Sequence, residues 1–213
     1  GEIARLSDEF WYHLPDRYGP ELLDRVARTP AAELERRPRV LYASRLAAEF
    51  SDDSRDPTLR RVIDFHRAVG ARYASRFEAF TDPGDVLIAG TTASIGARLA
   101  GDLDEAERIA ARVQARLDEL DVAEAASWHA TIAGGRPGWL ANQRSLTKML
   151  AGDYDGAIRH ATAAFVQAGP APHHNWSASG GAAHLALLAA IRGHRALAEG
   201  WLDRLFEKGP VHP

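Results

Sequence analysis

Ser145-Leu-Thr-Lys148 sets a hydroxyl one helical turn before an amine, the spacing at which a lysine can activate a serine for acyl transfer. That chemistry also needs Ser-Asp-Asn or Lys-Thr-Gly elements and strands to carry them, and the sequence has none of these, so Ser145 reads as a small packing residue. Gly90-Thr-Thr-Ala-Ser-Ile-Gly96 has the outline of a phosphate loop, but its glycines are one residue too far apart and Ala97 stands where the lysine would be. It reads as a helix face. His173-His174 is the one close pair among nine histidines; with no His-Glu-x-x-His spacing and no carboxylate beside them, they read as a solvated loop. No metal site is expected, and His129, His160, His184 and His194 read as ordinary side chains on polar or half-buried faces. Trp128, Trp139 and Trp176 each combine a flat apolar area with one donor, which suits a ligand wall as well as a core.

These residues sit on helices. Apolar positions recur at three- and four-residue spacing over 38–50, and again from Asp56-Pro57 to about Ala79, where Phe80-Thr-Asp-Pro-Gly-Asp85 is expected to end the helix. Short amphipathic helices are expected over 2–12 and 20–28, separated by Leu14-Pro-Asp-Arg-Tyr-Gly-Pro20, with a further turn opened by Thr29-Pro30. The remainder divides into pairs: 86–100 with 102–120, 136–151 with 153–168, and 175–192 with 194–207. No run alternates with period two long enough for a strand, so the chain is expected to be all-α.

The 213 residues, 46% hydrophobic, are enough for a sizeable core in one domain. The absence of cysteine excludes disulfides, thiolate metal sites and a cysteine nucleophile, and fits a reducing, cytoplasmic setting. Twenty-six basic and 29 acidic residues are interspersed for a net charge of −3, which gives no footprint for a nucleic-acid backbone. No stretch has the run of apolar residues a bilayer span needs, and the first residues lack a signal layout. Gly1, where a start methionine would stand, suggests a trimmed end.

A recurrence organises the second half. Gly101, Gly152 and Gly193 each end an apolar run, each has an alanine five residues on (Ala106, Ala157, Ala198), and each has a small residue seven before it (Ser94, Ser145, Ala186). A glycine at positive φ can close one helix while Asp102 or Asp153 caps the next, and the small residues let the two rods approach closely. Ala110 and Val113, Ala161 and Ala164, and Leu202 and Leu205 extend the expected seam, and Pro210 would stop the last helix. These positions resemble the tetratricopeptide repeat, although the spacings of 51 and 41 are longer than that repeat's, and Gly134-Gly-Arg-Pro-Gly138 reads as an inserted loop. The resemblance implies a single domain over 1–213: a right-handed superhelix of antiparallel hairpins, with degenerate helical hairpins over 1–85 and three repeat-like pairs over 86–213.

Leu22-Leu-Asp-Arg-Val-Ala-Arg28 and Arg37-Pro-Arg-Val-Leu-Tyr42, ahead of repeats of this length, resemble the helical repeat region of the large bacterial LuxR-type, MalT-like transcription regulators. In that family an ATPase precedes the repeats, a helix-turn-helix follows them, and the repeats receive a small inducer or a partner protein. The first helices would then line a concave groove, presenting Ile88 and Thr91, Trp139 and Asn142, and Gly180 and Ala183. Thr91, Arg98, Trp139, Asn142, Gln143, Asn175 and Trp176 are the expected ligand-binding residues, an aromatic wall with amide and guanidinium donors. The expectation is a non-catalytic, cofactor-free sensor segment, with a free-standing adaptor for a partner's peptide or helix as the alternative. Self-association of such units stays open.

Overall fold

A computed structural model describes residues 21, 24–50, 55–120, 138–168 and 176–207, and every regular element among them is helical. After a helical turn over 24–27, α1 spans Ala31–Leu34, α2 Pro38–Phe50 and α3 Arg55–Tyr73. A 3-10 turn, Phe77–Ala79, leads to α4 (Pro83–Leu99) and α5 (Leu103–Glu119). Then come α6 (Trp139–Leu150), α7 (Tyr154–Ala168), α8 (Trp176–Ile191) and α9 (Arg195–Glu207). Helices adjacent in sequence pack on one another, and α4 also touches α2 and α6, as α6 touches α8. The segment 2–12, part of 20–28, residues 51–54 and 134–137, Trp128, His129, His173, His174, Asn175 and Pro210 lie outside the described residues.

The three glycines do what their spacing predicts. Gly101, Gly152 and Gly193 have φ of +87°, +78° and +75°, a left-handed backbone that an L side chain resists. In each turn the glycine N–H and the N–H after it bond back into the last turn of the preceding helix: Gly101 to Arg98 and Asp102 to Ala97, Gly152 to Met149 and Asp153 to Lys148, Gly193 to Ala190 and His194 to Ala189. That is the Schellman pattern, which occupies carbonyls a helix end otherwise leaves unbonded. The aspartates then cap the following helices, Asp102 Oδ1 accepting from the Glu105 N–H at 2.9 Å and Asp153 Oδ1 from the Gly156 N–H at 2.8 Å.

Across the hinge the small residues form a second repeated contact. The Ser94 hydroxyl donates to the Ala106 carbonyl at 2.8 Å, and the Ser145 hydroxyl donates to the Ala157 carbonyl at 3.0 Å. Each joins the two helices of its pair within a buried seam. Ala110, Val113, Ala161 and Ala164 are buried as expected, whereas Leu202 is 40% exposed and Leu205 only half-buried. The expected seam does not close there: α5 and α7 each pack on both the first helix of their own pair and the first helix of the next, whereas α9 packs, among the described residues, on α8.

Two boundaries differ from expectation. The long third helix ends at Tyr73 rather than near Ala79, because the turn at 74–76 brings Tyr73, Phe77 and Phe80 together, with Tyr73 and Phe80 edge to face at 6.3 Å. Arg72 and Arg76, on either side of that turn, both reach the Glu35 carboxylate at 3.1 Å. Asp82-Pro83, read as a terminator, instead starts α4: Asp82 Oδ1 accepts from the Asp85 N–H at 3.1 Å, and Pro83 occupies the first turn, where its missing N–H costs nothing. The buried Arg39 of α2 pairs with Asp85 at 2.9 Å and Asp82 at 3.3 Å, tying α2 to the start of α4.

The main core gathers Tyr42, Val69, Tyr73, Phe77, Ile88, Ile109, Val113 and Trp139. Bare backbone makes the α3–α4 crossing close: a Cβ on Gly96 would lie 2.5 Å from the His66 carbonyl oxygen and 3.1 Å from the Gly70 Cα, so the two helices meet where Gly70 and Gly96 carry no side chain.

Candidate ligand-binding site

The expected site residues divide into two groups. Thr91 and Trp139 are buried, at 0% and 4% exposure, and Trp139 packs against Tyr42 with ring centroids 5.2 Å apart. Its ring fills the space between α2 and α6 and is part of the core, so it cannot serve as an open aromatic wall. Ile88 is likewise buried. Asn175 and the side chain of Trp176 lie outside the described residues, although Trp176 opens α8.

Arg98 and Gln143 do meet, where α4 packs on α6, and Asn142, the residue before Gln143, lies against α8. Arg98 stands in the last turn of α4. Its Nη1 donates to the Gln143 carbonyl at 3.1 Å and the Thr147 hydroxyl at 3.3 Å, and Nη2 donates to Gln143 Oε1 at 2.7 Å. The Thr147 hydroxyl in turn donates to the same Gln143 carbonyl at 3.1 Å. All three acceptors are neutral. Burial pushes the Arg98 guanidinium down to about 10, which still leaves it charged at neutral pH.

Asn142 is wedged against α8: a Cβ on Gly180 would lie 2.7 Å from its Nδ2 and 2.8 Å from its Oδ1, so that glycine is what lets the amide approach. Four residues on, on the same face of α8, stands His184. Burial, and then the Arg98 charge, hold its imidazole below the ordinary histidine range. Two buried polar atoms of this seam, Asn142 Oδ1 and His184 Nδ1, have no hydrogen-bond partner among the described residues.

His184 and Thr147 were not among the expected site residues. The signal for His184 was its position one helical turn beyond Gly180, itself assigned to the groove. Thr147 needed the structure, since only the Arg98 contact gives it a role.

The His184 shift has a definite consequence for pH. Its ordinary value is 6.5 and its folded value is lower, so as the pH falls below 6.5 the unfolded chain takes up a proton that the folded imidazole resists. Folded stability is therefore full above that value and declines below it. Between about pH 7.5 and about pH 5.5, His184→Gln is expected to lose less thermal stability than the parent chain, as read by melting temperature at each pH. Equal losses would remove His184 as a contributor.

No group of three or more metal-binding side chains occurs among the described residues, and no described helix is long and apolar enough to cross a membrane. No family model, curated protein or solved structure matches the chain.

Proposed function

We propose that this chain is a non-catalytic binding segment: a superhelix of tetratricopeptide-like hairpins whose first helices, α4, α6 and α8, receive a small effector for a bacterial regulator of the LuxR type. The observation that carries this reading is the repeated unit itself. Two successive pairs share a left-handed glycine, a Schellman closure, an aspartate cap and a serine bridge, and the third shares the glycine and the closure. Units built alike stack alike, and the residues that break the pattern on the first-helix row, Arg98, Asn142, Gln143 and His184, are the polar ones that meet at its seam. Effector binding would act by favouring one packing of neighbouring pairs over another, which requires different affinities for the two.

A thermal-shift screen of the purified chain against sugars, amino acids, nucleotides and organic acids tests this. A stabilising compound is expected to lose about tenfold or more in affinity with Asn142→Ala or Gln143→Ala while far-UV helicity is unchanged. A hit with undiminished affinity for both variants would sink the assignment to this seam. A second reading, an adaptor that holds a partner's helix, draws on the apolar surface of the last pair, where Leu197 is 54% and Phe206 74% exposed. In the same screen it predicts no small-molecule stabilisation.

A further inference from the structure

We infer that Arg98 is the receptor for an oxyanion, a carboxylate or phosphate group carried by the effector; this rests on the binding role proposed above for the α4–α6–α8 seam. A guanidinium has five N–H donors in a planar fork. Here Nη1 donates to the Gln143 carbonyl and the Thr147 hydroxyl, which are themselves bonded to each other, and Nη2 donates once, to Gln143 Oε1. The Nε–H and the second Nη2–H have no acceptor among the described residues, and Nε is not among the fully enclosed polar atoms without a partner. Two unoccupied donors on a guanidinium are what a carboxylate or phosphate accepts side by side.

The charge balance points the same way. The other described arginines that are buried or half-buried have carboxylates: Arg39 has Asp82 and Asp85, Arg116 has Glu119 and Arg144 has Glu107. Arg98 has no ion pair among the described residues, although it is half-buried and loses solvation by its position. His184, the neighbouring basic group, is held toward its neutral form, so the positive charge at this seam is a single one that an incoming anion would neutralise.

The purified chain is titrated with sodium phosphate and, separately, sodium succinate, at ionic strength held constant with chloride, following the Arg98 Nε–H resonance, the His184 imidazole titration and the melting temperature. At about ten times Kd the bound anion is expected to raise the melting temperature by roughly 3 °C or more, and to move the His184 titration upward as the Arg98 charge is neutralised. Arg98→Lys keeps the charge but loses the fork and should weaken binding about tenfold; Arg98→Met should abolish it. Saturation by phosphate alone assigns a phosphate group, and saturation by succinate alone a carboxylate. If neither probe moves the Arg98 resonance, or if Arg98→Met binds both as well as the parent, the inference is overturned and Arg98 is a brace between α4 and α6. A neutral effector that stabilises the chain through Asn142 and Gln143 would overturn it too, while leaving the proposed binding role standing.

Discussion

Trp139→Ala is expected to cost about 3–5 kcal/mol of folding stability, the usual loss when a large aromatic leaves a closed core. The ring is 4% exposed and meets Tyr42 across α2 and α6, so truncation leaves a cavity bounded on both sides by helices that are themselves held in place, α2 by the Arg39 pair with Asp82 and Asp85. For a chain of this length such a loss lowers the melting temperature by roughly 6–20 °C. Denaturant unfolding with a fixed slope would measure it. A loss under about 1 kcal/mol would place the indole outside the core and restore it as a ligand wall. Ligand binding and stability are inseparable in this variant, so Asn142 and Gln143, both half-buried, are the residues that test the site.

Gly96→Ala is expected to destabilise by about 1–3 kcal/mol even though alanine is the better helix former by about 1 kcal/mol. The added methyl would meet the His66 carbonyl oxygen at 2.5 Å and the Gly70 Cα at 3.1 Å, and backbone atoms cannot swing aside as a side-chain tip can. α3 and α4 would have to separate, loosening the packing of Tyr73 and Phe77 around them. Gly200→Ala provides the opposite sign: nothing lies within 4 Å of that position on α9, so relief of glycine's conformational freedom should stabilise by about 0.5–1 kcal/mol. Calorimetry on the two variants separates backbone contact from helix propensity, and a stabilised Gly96→Ala would show that the α3–α4 crossing is looser than described.

The arginine and histidine of the seam show why a site is harder to read than a hinge. Arg98 was legible as a polar residue three places before a turn glycine, and Gln143 and Asn142 as amides on the following first helix. That Arg98 would bind Gln143 and Thr147 rather than a carboxylate, and that burial and then the Arg98 charge would hold His184 below its ordinary range, depends on the placing of residues more than 40 positions apart in the first case and more than 80 in the second. No local period encodes those distances.

The sequence alone determined what is local. Helix boundaries at Gly101, Gly152 and Gly193, the aspartate caps after the first two, and the serines that bridge those first two hinges follow from backbone sterics and hydrogen bonds within one helical pair. Only the tertiary structure decided which side of a helix is covered. Trp139 went to Tyr42 and the core, Leu202 stayed 40% exposed on α9, and Asp82-Pro83 became a start instead of an end. An apolar or aromatic residue gains the same free energy whichever surface takes it out of water, so its destination is set by the elements that happen to lie opposite.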